Sequence, residues 1–98
     1  MKAIRKDESE SVTEELHFIR AHLLHYTNLL EDFRKSVQFI KDTPNPAMEA
    51  ETMASEKETS KELLDRECDT LLSEISRLEM VRDMQNKRVK NAMNWVSS

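Results

Sequence analysis

The chain contains no glycine at all. Sheets and tight hairpin turns lean on glycine for positive backbone angles, so a glycine-free sequence of 98 residues points to an all-α fold. Phosphate-cradling loops of the usual kinds also need glycine, and their absence removes the common nucleotide-binding classes. Proline is confined to one segment, Thr43-Pro44-Asn45-Pro46. A single cysteine, Cys68, excludes an internal disulfide framework and fits a reducing compartment. No apolar run approaches the ~20 residues that cross a bilayer, so no membrane span is expected and the chain reads as soluble and cytoplasmic. The stretch Met1 to Glu10 is polar and mixed in charge, unlike a secretory signal. Nor is there a concentrated positive surface for nucleic acid: the net charge is −4, and the best basic cluster, Arg82, Lys87, Arg88 and Lys90, is interrupted by Asp83.

What the sequence does have is a heptad seam. Val12, Leu16, Ile19, Leu23, Tyr26, Leu30, Phe33, Val37 and Ile40 follow one another by alternating steps of four and three, without a miss. Only 38% of the chain is apolar, so a random frame would leave most of these positions polar. The pattern predicts a helix of about 45 Å, at ~1.5 Å per residue, with one long apolar edge that lies along other helices. A second seam follows at Leu64, Cys68, Leu71, Ile75 and Leu78. Beyond Leu78 the strict frame lands on Arg82 and Gln85 before it recovers at Val89, Ala92 and Val96. Val81 and Met84 stand beside the frame, where a local change of register would bring them in.

Boundaries follow from local signals. Residues 1–10 are charged and aperiodic and read as a flexible arm. Ser11-Val12-Thr13-Glu14 has the form of a capping box, so the first helix is expected over 11–41. Prolines 44 and 46 each remove a donor and disfavour helix in the residue before them, which sets a loop at 42–54. The second helix, expected over 55–96, has candidate caps at Ser55 and Thr59, each followed three residues later by a glutamate. So short a connection favours an antiparallel two-helix hairpin, a coiled coil within residues 11–98. Folding about residue 48 would also set the acidic stretch Asp7 to Glu15 beside the basic stretch Arg82 to Lys90.

Apolar residues beyond the seams are numerous. Phe18, Leu24, Leu29 and Phe39 on the first helix, and Leu63, Leu72, Val81 and Met84 on the second, exceed what two helices cover for each other. They form a candidate partner face, either the wider core of a bundle made by self-association or a docking surface for another protein.

Candidate chemistry is sparse. Glu14-x-x-His17 has the carboxylate–imidazole spacing of di-iron bundles, but His17 falls off the seam and the second helix contains no histidine. His22 and His25 are a turn apart and read as solvated or partner-facing side chains, with no cysteine nearby. Cys68 sits on the seam as a small hydrophobe, flanked by Glu67 and Asp69 rather than by the positive groups a reactive thiol wants; an intersubunit disulfide would require two copies to cross there. Trp95 reads as helix-end packing. No nucleophile–base pair and no deep cleft are foreseen, so the reading is of a non-enzyme with no cofactor and no metal.

Two stretches bear a resemblance. His22-Leu23-Leu24-His25-Tyr26 through Leu30-Glu31-Asp32-Phe33-Arg34 to Asp42-Thr43-Pro44-Asn45-Pro46, and later Arg66-Glu67-Cys68-Asp69 through Leu71 to Glu79 and on to Lys90-Asn91-Ala92-Met93-Asn94, resemble the helical cytoplasmic region that precedes the membrane spans in fungal CorA-like magnesium-transporter proteins. The resemblance covers most of residues 16–94. It implies that the second helix corresponds to a stalk, that the first packs antiparallel outside it, and that such stalks assemble about a five-fold axis and couple magnesium sensing to a pore. The chain departs from that family in lacking transmembrane helices, the α/β cytoplasmic domain and the Gly-Met-Asn signature; Ala92-Met93-Asn94 has alanine for glycine in a polar helix, so no pore or ion-binding residue is carried over. The expected function is a non-catalytic assembly or coupling segment, unable to transport alone, whose partner is a further copy or the rest of a larger membrane protein. The alternative is a stand-alone coiled-coil adaptor.

Overall fold

Long stretches of Glu, Lys, Arg, Leu and Met with no glycine carry little intrinsic resistance to helix, and the chain forms two long helices. A computed structural model describes residues 5–44, 46 and 54–97. Helix α1 is Lys6–Asp42 and helix α2 is Ala54–Ser97, packed against each other as a hairpin. The fold expected from the seams is the fold found. Met1 to Ile4, most of the expected loop (Asn45 and residues 47–53) and Ser98 lie outside the described residues.

Helix α1 begins five residues before the expected cap. The Ser9 amide donates to the Arg5 carbonyl at 2.9 Å, so Ser11 and Glu14 are interior positions. Asp7 and Glu8 occupy the first turn, where carboxylates meet the positive end of the helix dipole, and the Arg5 guanidinium reaches Glu8 at 3.2 Å. The charges that made residues 5–10 look like an arm are the ones that suit a helix start. The other end behaves as the prolines require. Thr43 donates its amide to Phe39 at 2.9 Å, and Pro44 follows. Helix α2 begins at Ala54, one residue before the expected start at 55, with Glu56 in its first turn; Thr59 is interior, and its hydroxyl donates to the Ser55 carbonyl at 2.8 Å.

The chain divides into two units, one joining residues up to Leu29 with those from Glu79, the other spanning Leu30–Leu78. In the second unit Leu30 and Val37 of α1 and Cys68 and Ile75 of α2 form a buried cluster, with Leu64, Leu72 and Leu78 packed around it. Ile75 is the most deeply buried, at 1% exposure. Each such side chain contributes roughly 1.5–3 kcal/mol on burial. Arg34 donates to the Ser76 hydroxyl at 2.8 Å and Lys41 pairs with Asp69. A step of seven forward on α1 is matched by a step of seven back on α2, which is the antiparallel register.

That register corrects the expected fold point. A turn about residue 48 would set Lys41 opposite Ser55, whereas its partner is Asp69. Exposed charge pairs are worth too little to fix a register, and the buried Leu30, Val37, Cys68 and Ile75 fix it instead. In the first unit Val89 is buried, with Leu16, Leu23 and Met93 half-buried. There Lys90 lines a groove with His17 and Arg20, so the basic stretch faces the middle of α1 and not Asp7 to Glu15.

Candidate interaction surface

A heptad stripe has two edges, and a helix buries whichever edge its partner covers. The sequence reading paired Leu16, Leu23, Leu30 and Val37 with the residues four before each. In the structure these four do turn inward, Leu30 and Val37 fully and Leu16 and Leu23 by half. Their inward companions, however, are the residues four after or three before: Thr13, Thr27, Arg34 and Lys41 are all half-buried. The other half of the expected α1 seam, Val12, Ile19, Tyr26, Phe33 and Ile40, is left 37–49% exposed.

Helix α2 shows the same rotation. Cys68 and Ile75 are buried as expected, but Leu72 packs against the core while Leu71 is 40% exposed. Leu72 therefore moves from the candidate partner face to the core, and Leu71 moves the other way. Leu64 and Leu78 are half-buried at the core's edge. The remaining candidates for a partner face, Phe18, Leu24, Leu29, Phe39, Leu63, Val81 and Met84, are all exposed, joined by Met80 and Trp95.

The polar residues on this inward line keep their charged ends satisfied. Arg34 and Lys41 are half-buried and long enough to carry their charges out to Ser76 and Asp69. Lys41 holds its proton above the ordinary lysine value of 10.5, chiefly through its hydrogen bond to Asp69, with partial desolvation opposing and the charges of Asp69, Asp65 and Asp42 adding. This pair of contacts closes one flank of the second unit with polar groups. Because the helices are antiparallel, the line one residue before the half-buried polar positions on α1 and the equivalent line on α2 share the opposite flank. That flank is apolar: Phe33 and Ile40 from α1 with Leu64, Leu71 and Leu78 from α2.

The polar clasp of Arg34, Lys41, Asp69 and Ser76 escaped the sequence reading. Its signal was present, since 34 and 41, and 69 and 76, are each seven apart, but it stood among many charges with nothing to set it off.

The histidines are dispersed. His22 lies edge-on to Phe18 with ring centroids 4.5 Å apart and planes at 73°, and His25 is exposed. His17 lines the first unit's groove of about 820 Å³ together with Arg20, Leu24, Val89, Lys90 and Met93. Among the described residues no group of three or more His, Cys, Asp or Glu is placed to hold a metal ion. Cys68 is a free, buried thiol within the core cluster, a packing position closed to a second copy's cysteine unless the hairpin opens. Among the described residues no helix is long and apolar enough to cross a membrane.

Fold and surface together define an antiparallel helical hairpin whose second unit has one polar and one apolar flank. Comparison with known protein families, with characterised proteins and with solved structures finds no match to this chain.

Proposed function

We propose that the chain is a non-catalytic helical assembly segment, acting by packing its apolar flank against further helices. One observation supports this above the rest: Val12, Ile19, Tyr26, Phe33 and Ile40 repeat every seven residues along α1 and stay 37–49% exposed. An exposed apolar line at that regularity is a cost in water unless another surface covers it. Scattered exposed leucines would carry no such implication. The stalk region of CorA-like magnesium transporters, which the sequence resembles, is a helical segment of this kind, placed on the cytoplasmic side of a membrane and coupling an ion signal to a pore. In that setting the chain would supply packing and transmit motion, with transport residing in other segments. The alternative, a stand-alone adaptor for another protein, uses the same flank.

The reading is tested by placing a photo-crosslinking amino acid at Phe33, and separately at Asp32 on the neighbouring solvent-facing line, in cells that express the chain. Assembly through this flank gives protein adducts from position 33 at least tenfold above position 32. Equal or absent adducts at both positions would end the proposal. The transporter comparison has its own check: an apolar stretch of ~20 residues encoded downstream of Ser98 in the parent gene favours the stalk over the adaptor.

A further inference from the structure

The polar clasp of the second unit follows steps of seven, with Arg34 and Lys41 on α1 answered by Ser76 and Asp69 on α2. Continued along the sequence, the same steps reach Thr27 and Arg20 on α1 and Asp83 and Lys90 on α2. Asp83 is taken by its neighbour Arg82 at 2.8 Å. Arg20 and Lys90 line one groove of the first unit from its two helices, so where the clasp joins unlike groups, the groove receives two cations. Among the described residues no carboxylate lines it. Nor, among the described residues, do the side chains of Arg20, Lys90 or the adjoining His17 make a hydrogen bond or an ion pair. Two like charges held along one groove repel, and an anion between them gives each the partner that it lacks.

The rest of the lining decides what kind of anion fits. Ala21, Leu24, Val89 and Met93 line the groove beside the cations, with Val89 buried and Met93 half-buried. An apolar body is therefore covered along with a charged head. The volume of about 820 Å³ lies within the roughly 300–1,000 Å³ of small-molecule sites, which share this make-up of apolar walls and a few polar groups. From His17 to Thr27 the groove follows α1 for about 15 Å, at ~1.5 Å per residue, the reach of a medium-length alkyl chain. A protein partner fits less well. Ten residues line the groove, against roughly 20–30 on each side of a stable protein interface. For the head, the planar fork of an arginine matches a carboxylate, and the lysine adds a second positive charge.

We infer that the first unit's groove binds an amphipathic carboxylate of the fatty-acid class, its head held between Arg20 and Lys90 and its alkyl tail laid along Leu24 and Val89. The inference goes beyond the assembly reading and does not rest on it. Neither Phe33 nor Ile40 nor Leu71 of the apolar flank lines this groove.

The test is a heteronuclear NMR titration of the full chain with octanoate, beside acetate as the head alone and octanol as the tail alone. Octanoate is expected to bind with a Kd on the order of 1 mM, the affinity that so small a ligand reaches. Its amide shifts should concentrate within residues 17–27 and 86–94, the two stretches that line the groove. Acetate and octanol are expected to bind at least tenfold more weakly. Arg20 and Lys90 are exposed, so Arg20→Gln and Lys90→Gln each remove a charge while keeping helix propensity, and each is expected to weaken octanoate at least fivefold. Arg88→Gln, which removes a charge from outside the lining, is expected to change the affinity less than twofold, with circular dichroism checking that every variant stays helical. A wild-type chain that octanoate does not shift overturns the inference. So does octanol binding as tightly as octanoate, or an Arg88→Gln loss that equals the Lys90→Gln loss, because the groove would then recognise no anionic head at Arg20 and Lys90.

Discussion

Lys41 shows how a charged residue comes to sit beside a core. Its side chain is half-buried and its ammonium group is held by Asp69, so a position that looked like the end of the first helix serves as part of the clasp between the two. Its raised proton affinity has a definite consequence for stability. A group that binds its proton more tightly in the folded chain stabilises the fold at every pH below its unfolded value, and that contribution fades as pH climbs through the raised folded value. For a lysine the ordinary value is 10.5. Asp69→Asn should therefore lower the urea midpoint by a constant amount from pH 7 to about pH 9.5, and the gap from wild type should close above that range as Lys41 loses its proton. The side chains are 31% and 59% exposed, so added salt should shrink the gap too. A gap that stays the same width at alkaline pH would show that Asp69 acts through packing, not through the lysine.

At the scale of the helix, the sequence made some things plain and concealed others for identifiable reasons. Leu16, Leu23, Leu30, Val37, Cys68 and Ile75 were legible as inward-facing because they belong to the heptad stripe whichever edge is buried. The companion line was not legible. Val12, Ile19, Tyr26, Phe33 and Ile40 satisfy a hydrophobic rule better than Thr13, Thr27, Arg34 and Lys41 do, although Arg34 and Lys41 carry their charged ends to Ser76 and Asp69 on α2. The start of α1 was misplaced because Ser and Thr also work inside helices by returning a hydrogen bond to the carbonyl four residues back, as Thr13 does. Thr27 is another such residue, half-buried on the inward line with its hydroxyl donated to Leu23 at 2.9 Å. Thr27→Leu removes a β-branched residue of modest helix propensity and adds apolar surface where α2 can cover it. A gain of about 1 kcal/mol, or roughly 4–8 °C in melting temperature for a chain of this size, should follow in a thermal melt read by circular dichroism. An unchanged or lower melting temperature would mean that the space beside Thr27 does not accept the larger side chain.

Across the molecule, buried side chains are unevenly shared between the two units. Leu30, Val37, Cys68 and Ile75 all fall within Leu30–Leu78, whereas the other unit has Val89 as its buried hydrophobe among the described residues. Composition held no hint of this, since apolar residues are spread along both helices; what differs is which of them find a partner. On the inward face of α1, Leu16 and Leu23 are half-buried where Leu30 and Val37 are fully buried, so the contacts that α1 makes there are thinner. Opening of a helical segment costs what its buried contacts are worth, and amide hydrogen exchange reads that cost residue by residue. Amides from about Leu30 to Val37 and from Cys68 to Ile75 should exchange slowest, and those from Val12 to Ile19 and from Ala92 to Val96 at least tenfold faster under conditions where exchange follows the opening equilibrium. Uniform protection along both helices would instead mean that the chain opens only as a whole, and that the Leu30–Ile75 cluster holds no greater share of the stability than the thinner contacts beside it.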